Sequence, residues 1–229
     1  MDAEHRCNWE QLNREIISCV RCPRLVAWRE QVARQKRAAY RGWEYWGRPV
    51  PGFGDRDPRL FIIGLAPGAH GANRTGRMFT GDSAGQTLVA ALYRAGFANQ
   101  SGSIDASDGL ELRCAFMSAA VRCAPPDNRP SPEELANCRP FLVRELELCP
   151  SVRVVLALGR VAFDSYLRLL RERGVCVPRI DPRHGDVYSL AHDLPLVAFS
   201  YHPSQQNTQT GRLTTEMLDA LFERIRKCL

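Results

Sequence analysis

Cys19 and Cys22 form a C-x2-C pair, and Cys123 and Cys138 form a second pair with fourteen residues between them. Thiolates are soft ligands, and four of them drawn from two places in the chain can close a tetrahedral zinc site or hold an iron–sulfur cluster. Either centre would tie the N-terminal segment to a distant part of the chain, and the spacing leaves both open. Cys7, Cys114, Cys149, Cys176 and Cys228 lack such partners and read as structural or incidental thiols. A second concentration of chemistry is "GLAPGAHGANRTGRMFTGDSAG" (64–85), which follows the apolar run "LFIIG". Its small residues leave main-chain N–H groups uncovered at the end of a strand, where α/β proteins place ligands. Asn73, Arg74, Thr75, Arg77, Thr80 and Asp82 add polar groups to that access. Asp82, just before Ser83, suits the N-cap of a following helix. The third is "SYHPSQQNTQTGRLT" (200–214), where a proline fixes the turn after His202 and the polar loop ends in Arg212. Of the other histidines, His70 lies in the glycine-rich loop, His184 in "PRHGD" is placed to support a site, and His5 and His192 are peripheral.

These groups need elements to hold them. The runs 60–67, 114–123, 152–159 and 194–203 read as strands, the continuous apolar ones buried on both faces. Segments 83–96, 131–149 and 160–174 have helical spacing, with a capping-box pattern of Ser131, Pro132 and Glu134, and "TTEMLDALFERIRKCL" makes a C-terminal helix. Strands alternating with helices predict an α/β protein with a mostly parallel sheet covered on both sides. The first 40 residues read as largely helical and 41–59 as a loop of proline, glycine and aromatic residues. In a parallel sheet the loops after the first, second and fourth of these strands meet at one edge, so "RCAPPDNRPSP" joins the two loops above around one crevice.

The chain has 229 residues, enough for one domain with a sizeable core, and 1–229 is read as one. Its net charge is +6, and only Lys36 and Lys227 among the 31 basic residues are lysines. Arginine's planar fork suits phosphate, so an anionic partner such as nucleic acid fits, although a GC-rich genome also favours arginine. The N-terminus mixes charges without an apolar segment, and no apolar run spans a bilayer, which predicts a cytoplasmic protein with no membrane partner. In that reducing compartment nine cysteines point to metal ligation rather than disulfides.

The motifs "GLAPGAHGANRTGRMFTGDSAG", "RCAPPDNRPSPEELANC" and "YHPSQQNTQTGRLT", with the upstream C-x2-C, resemble the uracil-DNA glycosylase superfamily, and within it the iron–sulfur family 5 (type B) enzymes. The resemblance runs from residue 19 to about 214. It implies a three-layer α/β/α fold with a central four-stranded parallel sheet and an N-terminal helical extension. It implies removal of uracil, and of other deaminated bases such as hypoxanthine, from DNA as the first step of base excision repair. It also implies a [4Fe-4S] cluster on Cys19, Cys22, Cys123 and Cys138, with zinc as the alternative, and a monomer.

By the same similarity, Ala66, Gly68 and Phe79 bind the flipped base, Phe79 by stacking. Asn128 reads the polar edge of the base, and His202 donates to its oxygen. The His202-Pro203-Ser204 loop presses on the DNA, Gln205 and Gln206 stand where relatives insert side chains into the vacated stack, and Asp82 matches the acidic residue of the type B branch that handles water. Arg74, Arg77, Arg129 and Arg212 sit in the crevice loops and are the expected phosphate contacts. The sequence departs from related branches at Leu65, where they carry an acidic or polar residue, and at Met78, where they often carry proline. Two other readings of the chain are a non-catalytic iron–sulfur protein that binds damaged DNA and a zinc-stabilised nucleotide-binding protein. The glycine-rich loop fits neither usual phosphate-binding spacing, which weakens the second.

Overall fold

The computed structural model describes residues 3–229. Two helices come first, α1 (Ala3–Ile17) and α2 (Pro23–Gln35). Then follow β1 (Phe53–Gly54), β2 (Leu60–Gly64), α3 (Ala72–Thr75), α4 (Ser83–Arg94), β3 (Ala115–Ala119) and α5 (Pro132–Glu147). The chain closes with β4 (Val154–Leu158), α6 (Arg160–Glu172), β5 (Val187–Tyr188), β6 (Leu196–Ser200), α7 (Gln205–Gln209) and α8 (Thr215–Arg226). Among the described residues no helix is long and apolar enough to cross a membrane.

The strand order is β1-β3-β2-β4-β6-β5. The four inner strands are parallel, with Ile62 opposite both Met117 and Leu156, and Leu156 opposite Ala198. The sheet therefore has six strands, not the four expected. The extra two, β1 and β5, are antiparallel edges of two residues each, too short to carry a hydrophobic period.

Both faces of the inner strands are apolar because both are covered. Leu60, Ile62, Met117, Leu156 and Ala198 pack beneath α4 and α8, while Phe61, Ile63, Phe116, Val155 and Val197 pack beneath α1, α5 and α6. Alternate residues of one strand thus serve opposite cores, which gives the three layers. Helix starts follow their caps: Asp82 caps α4, Ser131 and Glu134 form the capping box of α5, and Thr214 caps α8. Glu134 also takes two hydrogen bonds from Arg24, at 2.8 and 2.7 Å, which ties α2 to α5. The chain runs from β2 to β3 on one side and from β4 to β6 on the other, so the order reverses between β2 and β4 and opens a crevice at their carboxyl ends.

Candidate active site and four-cysteine cavity

The loops after β2, β3 and β6 converge on one cleft of about 730 Å³. Ala66, Gly68, Phe79 and Asp82 line it from the first loop, Asn128 from the second, and His202, Ser204, Gln205 and Gln206 from the third. Every sequence-predicted catalytic and base-binding residue therefore lies on one wall or another of this cleft.

Asp82 faces two ways. Its Oδ1 accepts from the Gly85 N–H at 2.8 Å, so it does cap α4. Its Oδ2 is pressed against the glycine-rich loop, where a Cβ added at Gly71 would lie 2.0 Å from it and one at Gly68 2.5 Å. Only glycine permits that approach. Burial raises the Asp82 carboxyl above its ordinary range, against the opposing pull of the Gly85 and Ala84 N–H groups and Arg74. Phe79 holds a left-handed backbone (φ 51°), strained for a residue with a Cβ, and its ring closes over Gly64. Ser103 fixes that geometry by donating to the Phe79 carbonyl at 3.0 Å. Asp127 and Asn128 are also left-handed (φ 53° and 55°), and the exposed Asn128 sits at the cleft wall.

His202 follows β6, with its carbonyl held by Asn207 at 2.8 Å. Its Cβ lies against Gly159, whose φ of +87° also favours glycine. Burial pushes the His202 imidazole down to about 4, so the ring is neutral near pH 7 and can donate from one nitrogen. Ser204 caps α7, and Gln205 and Gln206 are exposed on its first turn.

The arginine expectations need correction. Arg74 is buried: it donates to the His70 and Gly81 carbonyls at 2.8 Å each and lies between the rings of Tyr40 and Trp43, 4.0 and 4.1 Å from their centroids. Arg77 is buried too, in a two-pronged bond to Asp108 at 2.7 and 2.8 Å. Both guanidinium groups brace the glycine-rich loop from within and are out of reach of a phosphate. Arg129 and Arg212 are exposed, Arg212 over the Tyr201 ring, and neither lines the cleft.

The structure supplies what sequence reasoning missed. Arg37 and Tyr40 line the cleft. His70 lines it as well, with Nδ1 3.0 Å from the Tyr45 hydroxyl and its pKa lowered by burial and by Arg37 and Arg74. Arginines interleaved with aromatics in "RAAYRGWEYWGR" were the available signal. Asn73 is fully buried and donates to the Arg29 carbonyl at 3.2 Å, so it anchors the loop to α2. Leu65 and Met78 also line the cleft, so no carboxylate stands at position 65.

Away from the cleft, Cys19, Cys22, Cys123 and Cys138 line one small cavity together with Arg29, Arg122 and Asn137. All four thiols are free. Among the described residues no three or more His, Cys, Asp or Glu side chains are gathered to hold one metal ion. Three of the sulfurs nevertheless receive N–H donors: Arg29 to Cys123 at 3.0 Å, the Arg122 main chain to Cys138 at 3.3 Å, and Asn137 to Cys22 at 3.6 Å. Burial pushes Cys123 up to about 11 and Cys138 up to about 12, so thiolates here require a cationic partner. Soft sulfur ligands from two distant parts of the chain, three of the four with donors behind them, suit a metal–thiolate centre.

The family model of the Uracil DNA glycosylase superfamily matches residues 51–226. The chain is 51% identical to the Type-5 uracil-DNA glycosylase of Mycobacterium bovis over 218 residues, covering 95% of this chain and 80% of that one. It is 52% identical to the Type-5 uracil-DNA glycosylase of Thermus thermophilus over 209 residues, 91% of this chain and 93% of that one. With the enzyme of the same name from Pyrobaculum aerophilum the identity is 46% over 209 residues, covering 91% and 88%.

Proposed function

The chain belongs to the uracil-DNA glycosylase superfamily, and from that premise we propose that its cleft excises uracil from DNA by hydrolysing the N-glycosidic bond. The observation that carries this reading is the meeting of Asp82, Phe79, Asn128 and His202 in one cleft at the carboxyl edge of the sheet. A base in a duplex must leave the stack to be reached, at a cost of roughly a few kcal/mol. The cleft supplies a receiving site, with Phe79 to stack on the base and Asn128 to meet its polar edge.

As the C1′–N1 bond breaks, its electron pair leaves with the base and gathers on O2, while the sugar becomes electron-poor. The neutral imidazole of His202 donates to that oxygen, and a donor of this kind stabilises the departing anion without itself losing a proton. In its carboxylate form Asp82 directs water toward C1′ through Oδ2 and takes up one proton as the water oxygen bonds to that carbon, which leaves an abasic sugar and a base anion that takes its proton from solvent. Electrostatic placement carries the rate, since Leu65 offers no second carboxylate. The same pocket chemistry extends to hypoxanthine, whose ring nitrogen N3 stands near the glycosidic bond as an acceptor for the same donor, and abasic sites are the starting point of base excision repair.

Arg37, Arg129 and Arg212 are exposed on the loops around the cleft and form the phosphate-contacting set, with Gln205 and Gln206 placed to enter the stack that the base vacates. Cys19, Cys22, Cys123 and Cys138 would hold a [4Fe-4S] cluster. The four thiols line one cavity, and the resemblance to the iron–sulfur branch makes the cluster the expected occupant, with zinc the alternative. A cluster held there would act as a cross-link at Cys22, the N-cap of α2; α2 carries Arg29, and the Arg29 carbonyl holds Asn73 of the catalytic loop. Free thiols and a DNA substrate fit the cytoplasm, and a cleft built by one chain fits a monomer. The test is a labelled duplex with one uracil, incubated with excess purified protein and then treated with alkali. Strand scission at the uracil is expected, and an intact strand despite protein–DNA binding would favour a non-catalytic damage-binding protein.

A further inference from the structure

Buried charge is rare unless it is paired, and of the three arginines that line the four-cysteine cavity Arg21 is exposed while the two buried ones, Arg29 and Arg122, differ in this respect. Arg122 is 1% exposed and bonds Glu145 at 2.6 Å, and that carboxylate is further held by the Ser118 hydroxyl at 2.7 Å. Its charge is answered. Arg29 is 4% exposed and has no carboxylate partner among the described residues. Its Nη1 donates to Cys123 Sγ at 3.0 Å and to the Cys19 carbonyl at 3.2 Å, and its Nε is buried with no partner at all. A desolvated guanidinium facing neutral thiols is unfavourable, and the same guanidinium facing a metal–thiolate centre of net negative charge is favourable.

We propose that Arg29 is the built-in counter-ion of the four-cysteine centre, holding its charge balance and with it its reduction potential and its grip on the metal. The inference rests on the reading of those cysteines as metal ligands. Arg29 differs from the other donors at the site in carrying charge: Cys22 receives a neutral carboxamide and Cys138 a main-chain N–H. Its role toward the catalytic loop runs through its carbonyl, which any substitution keeps, so side-chain variants isolate the effect on the centre.

Iron, sulfide and zinc analysis of the purified parent comes first, and folded parent protein free of all three would overturn the metal reading and this inference with it. With iron present, voltammetry and iron loss to a chelator are compared across Arg29→Met, Arg29→Gln and Arg29→Lys. Removing a neighbouring cation disfavours the more reduced, more negative state. Arg29→Met and Arg29→Gln should therefore raise the ratio of oxidised to reduced centre at the parent's midpoint tenfold or more, a shift of about 59 mV for one electron. They should also lose iron roughly tenfold faster, and Arg29→Lys should recover most of both. With zinc present, the chelator rates alone decide. Should neither neutral variant load metal, loading of Arg29→Lys supports the counter-ion role, and equal failure of Arg29→Lys overturns it. Parental midpoint and metal-loss rate in the neutral variants overturn it as well.

Discussion

Replacing Asp82 by asparagine and by alanine separates its two jobs. Asparagine keeps an oxygen to accept from the Gly85 N–H, and as an N-cap it equals aspartate, so Asp82→Asn should melt within about 1 °C of the parent. It removes the charge on Oδ2, the atom packed against Gly68 and Gly71 where water would be held. An oriented catalytic group lost from such a site costs on the order of 100-fold or more, roughly 2.7 kcal/mol upward. Asp82→Ala adds the loss of the cap, about 1 kcal/mol, which for a chain of this size lowers Tm by about 2 to 4 °C. Single-turnover excision and thermal melting, measured on the same preparations, should give two variants equally slow and unequally stable. Parental excision by Asp82→Asn would refute the reasoning and leave Asp82 as a cap alone.

His202→Ala should slow excision by roughly 100-fold or more, and because burial lowers the parental His202 pKa to about 4, the parental rate should show no His202 titration between pH 6 and 8; a rate falling as pH rises through 6.5 would mean a charged donor. The same shift makes stability fall with acid: between the unfolded value near 6.5 and about 4 the unfolded chain takes up a proton that the folded one refuses, so urea melts should show a loss across that window. Arg37→Ala should flatten the plot of log affinity against log salt by about 0.9, one phosphate's worth, while Asp108→Ala should leave the slope alone and destabilise the fold by about 3 to 5 kcal/mol by stranding buried Arg77; equal slopes for parent and Arg37→Ala would remove Arg37 from the interface. Gly71→Ala drives a methyl into Asp82 Oδ2 and should abolish most excision, and parental activity there would show that the loop yields freely.

The inner strands were legible because each is a run of five residues with both faces buried, a pattern that hydrophobicity alone displays. Helix starts at Ser83 and Pro132 were legible from their caps, whereas the C-terminal helix was read from its spacing and its Thr214 cap came from the fold. The two-residue edge strands and the short α3 and α7 were not, since neither length completes a period. Loop membership brought the cleft residues together correctly, because the carboxyl edge of a parallel sheet is a topological fact. It failed for Arg74 and Arg77, because a loop's position does not say which way a long side chain turns, and partners such as Asp108 and the Tyr40–Trp43 pair are supplied by other segments. Arg29 was invisible for the same reason: in sequence it is one more arginine on a helix, and only the fold sets it, unpaired, against Cys123.

The most direct test of the central claim is chromatographic detection of free uracil, with binding followed in parallel, for the parent and for a variant combining Asp82→Asn with His202→Ala. The parent should release one free uracil per uracil-containing duplex, and the variant should bind without release. A parent that binds the duplex and liberates no base would contradict it.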